Sequence, residues 1–551
     1  MRPIALRSPL ARILACLSIC LVTTADGVAG GRLALPKRWF YASFNLLVDK
    51  EVETLDAVMT RAAKAGYTGL LLADSKFGRL ADMDAKYFRH CDTVKARART
   101  LGLEIVPAVF PIGYAEGLLS QDPNLAEALP VRDALFVVKG GEARLEPDPV
   151  VSLRGGDFAD LSKWDWKDDT VVASEGAALV RDPKGRNARI VQNVKVHPFR
   201  AYHVAVRVKT QDFRGEPEVK VLAGKRTLSF ANLHVAPTQD WKVHHLVFDS
   251  LEESEVSLYL GAWGADTGSL WWDDASIEEA GPVNVVRREG APFVVRREGG
   301  AALKEGADFE PVADPKMGTV PWKGGYEVWH AAPAIRTKLK DGTRLRVSWQ
   351  YAAIVLDEQV TACLSEPRTV DLLRDQAKRM HAVWHAKGYF MSHDEIRAGG
   401  TDDACAKRGL SAGAILAENA RACVKILKEV NPGGDVYVWS DMFDPAHNAR
   451  ADYYLVKGDL AGSWEGLDKD VIVACWYREK RDESLAFFAK RGHRTLLAGY
   501  YDAPSDRVAA ETNEWLDAAK KVDGVVGVMY TTWRRDYADL ERFEQAVEAA
   551  R

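Results

Sequence analysis

The sequence predicts an α/β protein, a (β/α)8 TIM barrel interrupted by an inserted all-β jelly-roll sandwich. Three observations predict it. From Pro36 onward, short apolar strands alternate with helical stretches; the alternation stops after about Leu153 and resumes near Pro367. Three strands precede the gap and five follow it, and eight parallel strands close a barrel. Inside the gap, runs of alternating polarity separated by turn residues read as short antiparallel strands.

Taken in order, residues 1–29 carry Arg2, Arg7 and Arg12, an apolar run at 13–22, and small residues through Ala25 and Ala29. That is the order of a secretory signal peptide, so an exported chain, periplasmic or extracellular, is expected. No later segment approaches ~20 apolar residues, so no integral membrane segment is expected in the mature protein. The first part of the barrel is placed at 36–150, with strands at 39–44, 69–74 and 103–110 and helices at 51–65 and 85–101. Residues 151–280 form the inserted sandwich, and 281–365 a connecting β-rich segment with a strand at 345–351. The second part, 366–551, holds strands at 389–394, 436–441, 471–476, 496–501 and 525–531, each separated by a helical stretch. A near-repeat, Val-Val-Arg-Arg-Glu-Gly at 285–290 and 294–299, reads as a structural hairpin.

The composition is that of a globular chain, 47% hydrophobic and 28% charged over 551 residues. A net charge of −4 gives no reason to expect nucleic acid as a partner. The 16 tryptophans are unusual, and indole stacks well on the apolar faces of pyranose rings. Five cysteines follow the signal peptide, at 91, 363, 405, 423 and 475; their spacing shows neither a disulfide framework nor a zinc motif. No cofactor and no metal is expected.

In a barrel of this kind, residues just past the C-terminal ends of the strands converge on one mouth. Strand two ends in Asp74. Strand four, Gly388-Tyr389-Phe390-Met391, runs into Ser392-His393-Asp394-Glu395. Strand five delivers Trp439 and Asp441, strand six Trp476, strand seven Tyr500, Tyr501 and Asp502, and strand eight Tyr530 and Trp533. Carboxylates and aromatics thus recur at one end of strand after strand, the make-up of an acidic, aromatic-walled pocket for an oligosaccharide or polysaccharide. A bland reading stands beside it, in which Asp394 and Glu395 cap the next segment or pair with Arg397. Within the insertion, Trp263, Trp271 and Trp272 are candidates for a sugar platform, with Trp271 or Trp272 facing inward because strand neighbours alternate.

The order of these strand ends resembles the catalytic domain of family 20 glycoside hydrolases, the β-N-acetylhexosaminidases, and residues 268–277 resemble the closing strand of jelly-roll carbohydrate-binding modules. The match spans about half of the chain. It implies that Glu395 is the general acid, its pKa raised by Asp394, and that Asp394 orients a substrate 2-acetamido group that attacks the anomeric carbon. Tyr500 would bond the acetamido carbonyl and Asp502 a sugar hydroxyl; Trp439, Trp476 and Trp533 would wall the pocket. The family's paired glycines before the acids are absent, its strand-one arginine has no counterpart, and the insertion is foreign to it. Three further readings stand beside this one: a two-carboxylate glycosidase using Asp441 or Asp502, a non-catalytic carbohydrate-binding protein, and metal-assisted hydrolysis by His393, Asp394 and Asp441.

Overall fold

A computed structural model describes residues 33–318, 320–356 and 359–550. The proposed signal peptide lies outside the described residues. Eight parallel strands form a closed barrel in chain order: Lys37–Ser43, Gly69–Ala73, Glu104–Val109, Gly388–Met391, Asp435–Trp439, Ile472–Cys475, Thr495–Tyr500 and Val525–Thr531. Strand one closes it by pairing on both sides, Trp39 with Gly69 and with Met529. Helices of ten or more residues follow strands one, two, four, six, seven and eight, and Pro367–Trp384 precedes strand four. Strand five is followed by short 3-10 turns, Asp441–Phe443 and Ser463–Gly466, not by the expected helix. The intervening sequence is punctuated by Asp, Asn, Pro and Gly, which favour turns over helical periodicity.

The strands are almost wholly apolar because both faces are covered. Alternate residues point inward, and Trp39, Leu71, Val106, Phe390, Tyr437, Ile472, Leu496 and Met529 fill the barrel's interior. The other set packs beneath the helices. Trp39 is fully buried, and a Cβ at Gly69 would lie 2.9 Å from its indole nitrogen, so the adjacent strand leaves room for that one large side chain. Trp39→Ala is expected to cost about 3–5 kcal/mol of stability, read from the denaturant midpoint, because the closed barrel cannot collapse into the void.

The insertion departs from the expected boundaries. Two five-stranded antiparallel sheets make the sandwich, between Trp166–Lys167 and Thr267–Glu279. A third five-stranded sheet joins Ala128–Lys139 and Glu142–Leu145, both assigned to the barrel on sequence, to Val294–Arg297, Ile335–Arg336 and Arg344–Ala352. Residues from about 128 to 352 therefore lie outside the barrel sheet, and the third sheet shares one apolar core with the sandwich. The hairpin at Gly140 and Gly141, both at positive φ, turns Ala128–Lys139 back on itself. The two copies of the near-repeat do not form a hairpin with each other. Val285 bridges Tyr351, and Val294 pairs with Ser348, so the copies lie in series along one strand.

No described helix is long and apolar enough to cross a membrane.

Candidate active site

Strand four ends at Met391, four residues before Glu395. The chain then turns sharply: Glu395 has φ 46°, a left-handed conformation that costs any residue with a Cβ backbone energy and persists only where its surroundings enforce it. Two groups do so. The Asp441 carboxylate accepts the Glu395 N–H at 2.8 Å, and the Gln359 side-chain amide donates to the Glu395 carbonyl at 2.9 Å. This turn lets the consecutive residues Asp394 and Glu395 both line one cavity.

That cavity, about 620 Å³, lies at the mouth of the barrel. Its wall is a chain of aromatic rings: Tyr41 to Trp533 (centroids 5.1 Å), Trp533 to Trp439 (5.6 Å), Trp533 to Tyr501 (5.9 Å) and Tyr501 to Trp476 (5.5 Å, nearly parallel). Tyr114, Gln359, Gln376 and Asp74 complete it. Asp74 is a brace as well, accepting from Leu46 N–H and Tyr87 O–H at 3.0 and 2.9 Å.

The two carboxyl groups differ. Glu395 forms an ion pair with Arg397 at 2.8 Å and accepts a short hydrogen bond from the Tyr114 hydroxyl. The bland pairing with Arg397 is thus present, but inside the cavity. Arg397 is itself buried and donates to Gln359 at 2.5 Å. Asp394 is pushed up to about 8 by burial, then by the charges of Asp441 and Glu395. Although open to the cavity, it is enclosed by protein on its other sides, and crowding by like charge moves it in the same direction as desolvation. Both effects favour the protonated form of Asp394.

Of the other expected residues, Trp439, Trp476 and Trp533 line the cavity. Tyr500 does not. Its ring stacks on Tyr530 at 4.0 Å within the core beneath the helices, and Tyr501 takes the cavity position. Tyr500, Tyr501 and Asp502 all have positive φ, which breaks the strand's alternation and shifts the inward residue by one. Asp502 is engaged in the scaffold: it accepts from Thr532 O–H and from the backbone N–H of Trp533 (2.9 Å), fixing the loop that carries that indole. Asp441 is fully buried and accepts from Glu395 N–H, Asn448 (3.0 Å) and the Trp476 indole (3.3 Å). Burial raises it to about 7 against those donors. His393 is fully buried, with Nε2 3.1 Å from the Asn419 side-chain oxygen, and burial depresses it to about 4, so the imidazole is neutral. Among the described residues, His393, Asp394 and Asp441 are not gathered into one ligand cluster.

Sequence reasoning missed Tyr41, Tyr114, Gln359 and Gly113. Tyr41 was legible as an inward residue of strand one; Tyr114 and Gln359 lie on connections with no periodicity. A Cβ at Gly113 would meet the Asp394 carbonyl at 2.3 Å. Gly113→Ala is therefore expected to displace the acidic turn, costing about 1–3 kcal/mol of stability and lowering turnover at least about tenfold, since a small displacement of reacting groups is costly.

In the sandwich, Trp272 is buried; Trp263 follows the strand Glu255–Ala262 of one sheet, and Trp271 lies in Thr267–Glu279 of the other. The ammonium groups of Lys220 and Lys209 lie 4.0 and 5.8 Å from the Trp263 and Trp271 ring centroids. The three do not form one platform. Trp271 borders a cleft with Arg181, Asp182 and Asp212.

No family model matches the chain, and no curated protein matches it. Among solved structures, it is similar to a rhamnosidase from Novosphingobium sp. PP1Y at 12% identity and TM-score 0.33, over 94% of this chain and 58% of that one. The chain thus spans little more than half of that enzyme's length. A CBM4 carbohydrate-binding module is similar over 23% of this chain and 85% of its own, at 16% identity and TM-score 0.18. The module TmCBM61, in complex with β-1,4-galactotriose, covers 23% and 92%, at 14% identity and TM-score 0.17. Likenesses this weak carry no weight for chemistry.

Proposed function

We propose that the chain is an exported glycoside hydrolase whose barrel cavity cleaves a glycosidic bond between Asp394 and Glu395. The observation that carries this reading is the carboxyl pair of unlike environment inside a continuous aromatic wall. Indole and phenol faces stack on the apolar faces of sugar rings, and the carboxyls supply the chemistry. Asp394, protonated at neutral pH, donates to the glycosidic oxygen as the bond to the leaving group breaks. Glu395, ion-paired with Arg397, faces the positive charge that develops on the ring. Asp441 and Gln359 are positioning residues that hold the turn.

A second reading keeps the site and exchanges the roles: on a 2-acetamido sugar, Glu395 is the acid and Asp394 orients the acetamido group for attack. The order of the strand-end residues favours it, with Tyr501 in the place expected of Tyr500.

A panel of aryl β-glycosides, with and without the 2-acetamido group, tests both. Turnover of non-acetamido sugars, with the alkaline limb of the pH profile lost in Asp394→Asn, supports the first reading. Turnover confined to acetamido sugars, with that limb lost in Glu395→Gln, supports the second. Glycan binding without turnover in any arm would overturn both and leave a carbohydrate-binding protein.

A further inference from the structure

Four buried side chains that the proposed reaction does not use meet where the insertion leaves and rejoins the barrel. Glu127 immediately precedes the strand Ala128–Lys139, and Cys363 lies on the return segment just before Pro367–Trp384. Asp402 and Cys405 sit at the short helix Asp403–Ala406, in the connection after strand four. All four are buried, and one ligand atom from each lies within 4.8 Å of the others. Nothing in the spacing of residues 127, 363, 402 and 405 announces this cluster, because three separate segments supply it.

We propose that these residues form a structural site for one thiophilic divalent cation, of which zinc is the type. The separations fit. Tetrahedral zinc, with bonds of about 2.3 Å to sulfur and about 2.0 Å to carboxylate oxygen, spaces two sulfurs about 3.8 Å apart and a sulfur and an oxygen about 3.5 Å apart. Here Cys363 Sγ lies 3.8 Å from Cys405 Sγ, and Cys405 Sγ 3.5 Å from Glu127 Oε2.

The carboxylates are oriented as ligands usually are, by outer partners. Glu127 Oε1 accepts from Thr401 N–H and O–H at 2.8 and 2.9 Å, leaving Oε2 toward the sulfurs. Asp402 accepts from Cys405 N–H at 2.8 Å and from Arg288 at 2.5 Å. Ser365 Oγ is 3.1 Å from Cys405 Sγ. On binding, the two thiols release their protons and a metal–sulfur bond forms at each; no electron is transferred. The site would clamp the loop that carries Asp394, Glu395 and Arg397 to both ends of the insertion.

Co²⁺ alone, added to the reduced, chelator-treated full chain, provides the test. The expected result is one equivalent bound per chain, with thiolate-to-cobalt charge transfer in the near ultraviolet and intense visible bands of four-coordinate cobalt, displaced by Zn²⁺. The thermal midpoint should rise with metal. Cys363→Ser and Cys405→Ser should abolish the charge-transfer band. Glu127→Gln should retain it with affinity lowered at least about tenfold, which guards against a fold lost in the serine variants. A natively folded chain, judged by near-ultraviolet circular dichroism, that shows no thiolate band would overturn the proposal. So would thiol titration of the unreduced chain that finds Cys363 joined to Cys405 and the chain's stability indifferent to metal, which would assign the pair to a disulfide.

Discussion

Asp394→Asn is expected to lower turnover by about 10²–10⁴-fold on an aryl glycoside with a poor leaving group, and much less on one with a good leaving group. The difference arises because a good leaving group departs without a proton. The pH dependence has a definite sign. Asp394 titrates near 8, so its proton is present through neutrality and turnover falls as pH rises through about 8. Because Asp394, Asp441 and Glu395 interact, that limb belongs to the group rather than to one carboxyl. Stability follows the same proton. A carboxyl whose folded pKa is raised above its unfolded value contributes stability that is fully present below the unfolded pKa and is lost as pH rises through the folded one. Asp394→Asn removes this loss. Its denaturation midpoint should therefore exceed that of the parent chain at pH 8 while its turnover is nearly gone. An equal drop in stability and turnover at every pH would mark Asp394 as a structural residue and sink the assignment.

Arg200→Met is expected to cost about 3–5 kcal/mol, read from the denaturant midpoint. Arg200 and Glu279 are 3.0 Å apart with side chains only 3% exposed, and the guanidinium also reaches the carbonyls of Arg132 and Asp133 on the third sheet. Removing the arginine leaves a buried carboxyl and two carbonyls without their donor. Burial already pushes Glu279 up to about 7 even with Arg200 beside it. In the variant, Glu279 would remain protonated to higher pH, so the destabilisation should be larger at pH 8 than at pH 6. Replacing both, Arg200→Met with Glu279→Leu, should recover much of the loss, because no orphaned charge remains. A double variant no more stable than the single one would show that the carbonyl contacts, not the ion pair, dominate.

The barrel strands were legible because burial on both faces writes them as apolar runs such as Gly69-Leu-Leu-Leu-Ala, and because their ends carry acids and rings. Asp394, Glu395, Trp439, Trp476 and Trp533 meet in one cavity for the reason that suggested them, convergence at one mouth. Tyr500 was misplaced because alternation was assumed to continue through three residues with positive φ. The insertion begins earlier than expected because Ala128–Lys139 pairs with Arg344–Ala352, some two hundred residues away, a partnership that no local pattern reports. Likewise, the roles proposed for Asp394 and Glu395 depend on Arg397, Tyr114 and Asp441. Which of the two an arginine reaches is decided by the left-handed turn at Glu395, and no spacing rule reports that.

Gln359 and Val360, which border the cavity, belong to the segment that returns from the insertion, and Ala362 N–H bonds back to Ile112 on the strand-three connection. The appended β-structure is thus no detachable cassette. A chain shortened by splicing residue 127 to residue 353 would lose the anchorage that holds Gln359 against Glu395 and Arg397. Grafting this insertion onto another barrel would carry part of the cavity wall with it. Exchange between such proteins, by recombination or by design, must therefore move the sandwich, its return segment and the acidic turn as one heritable unit.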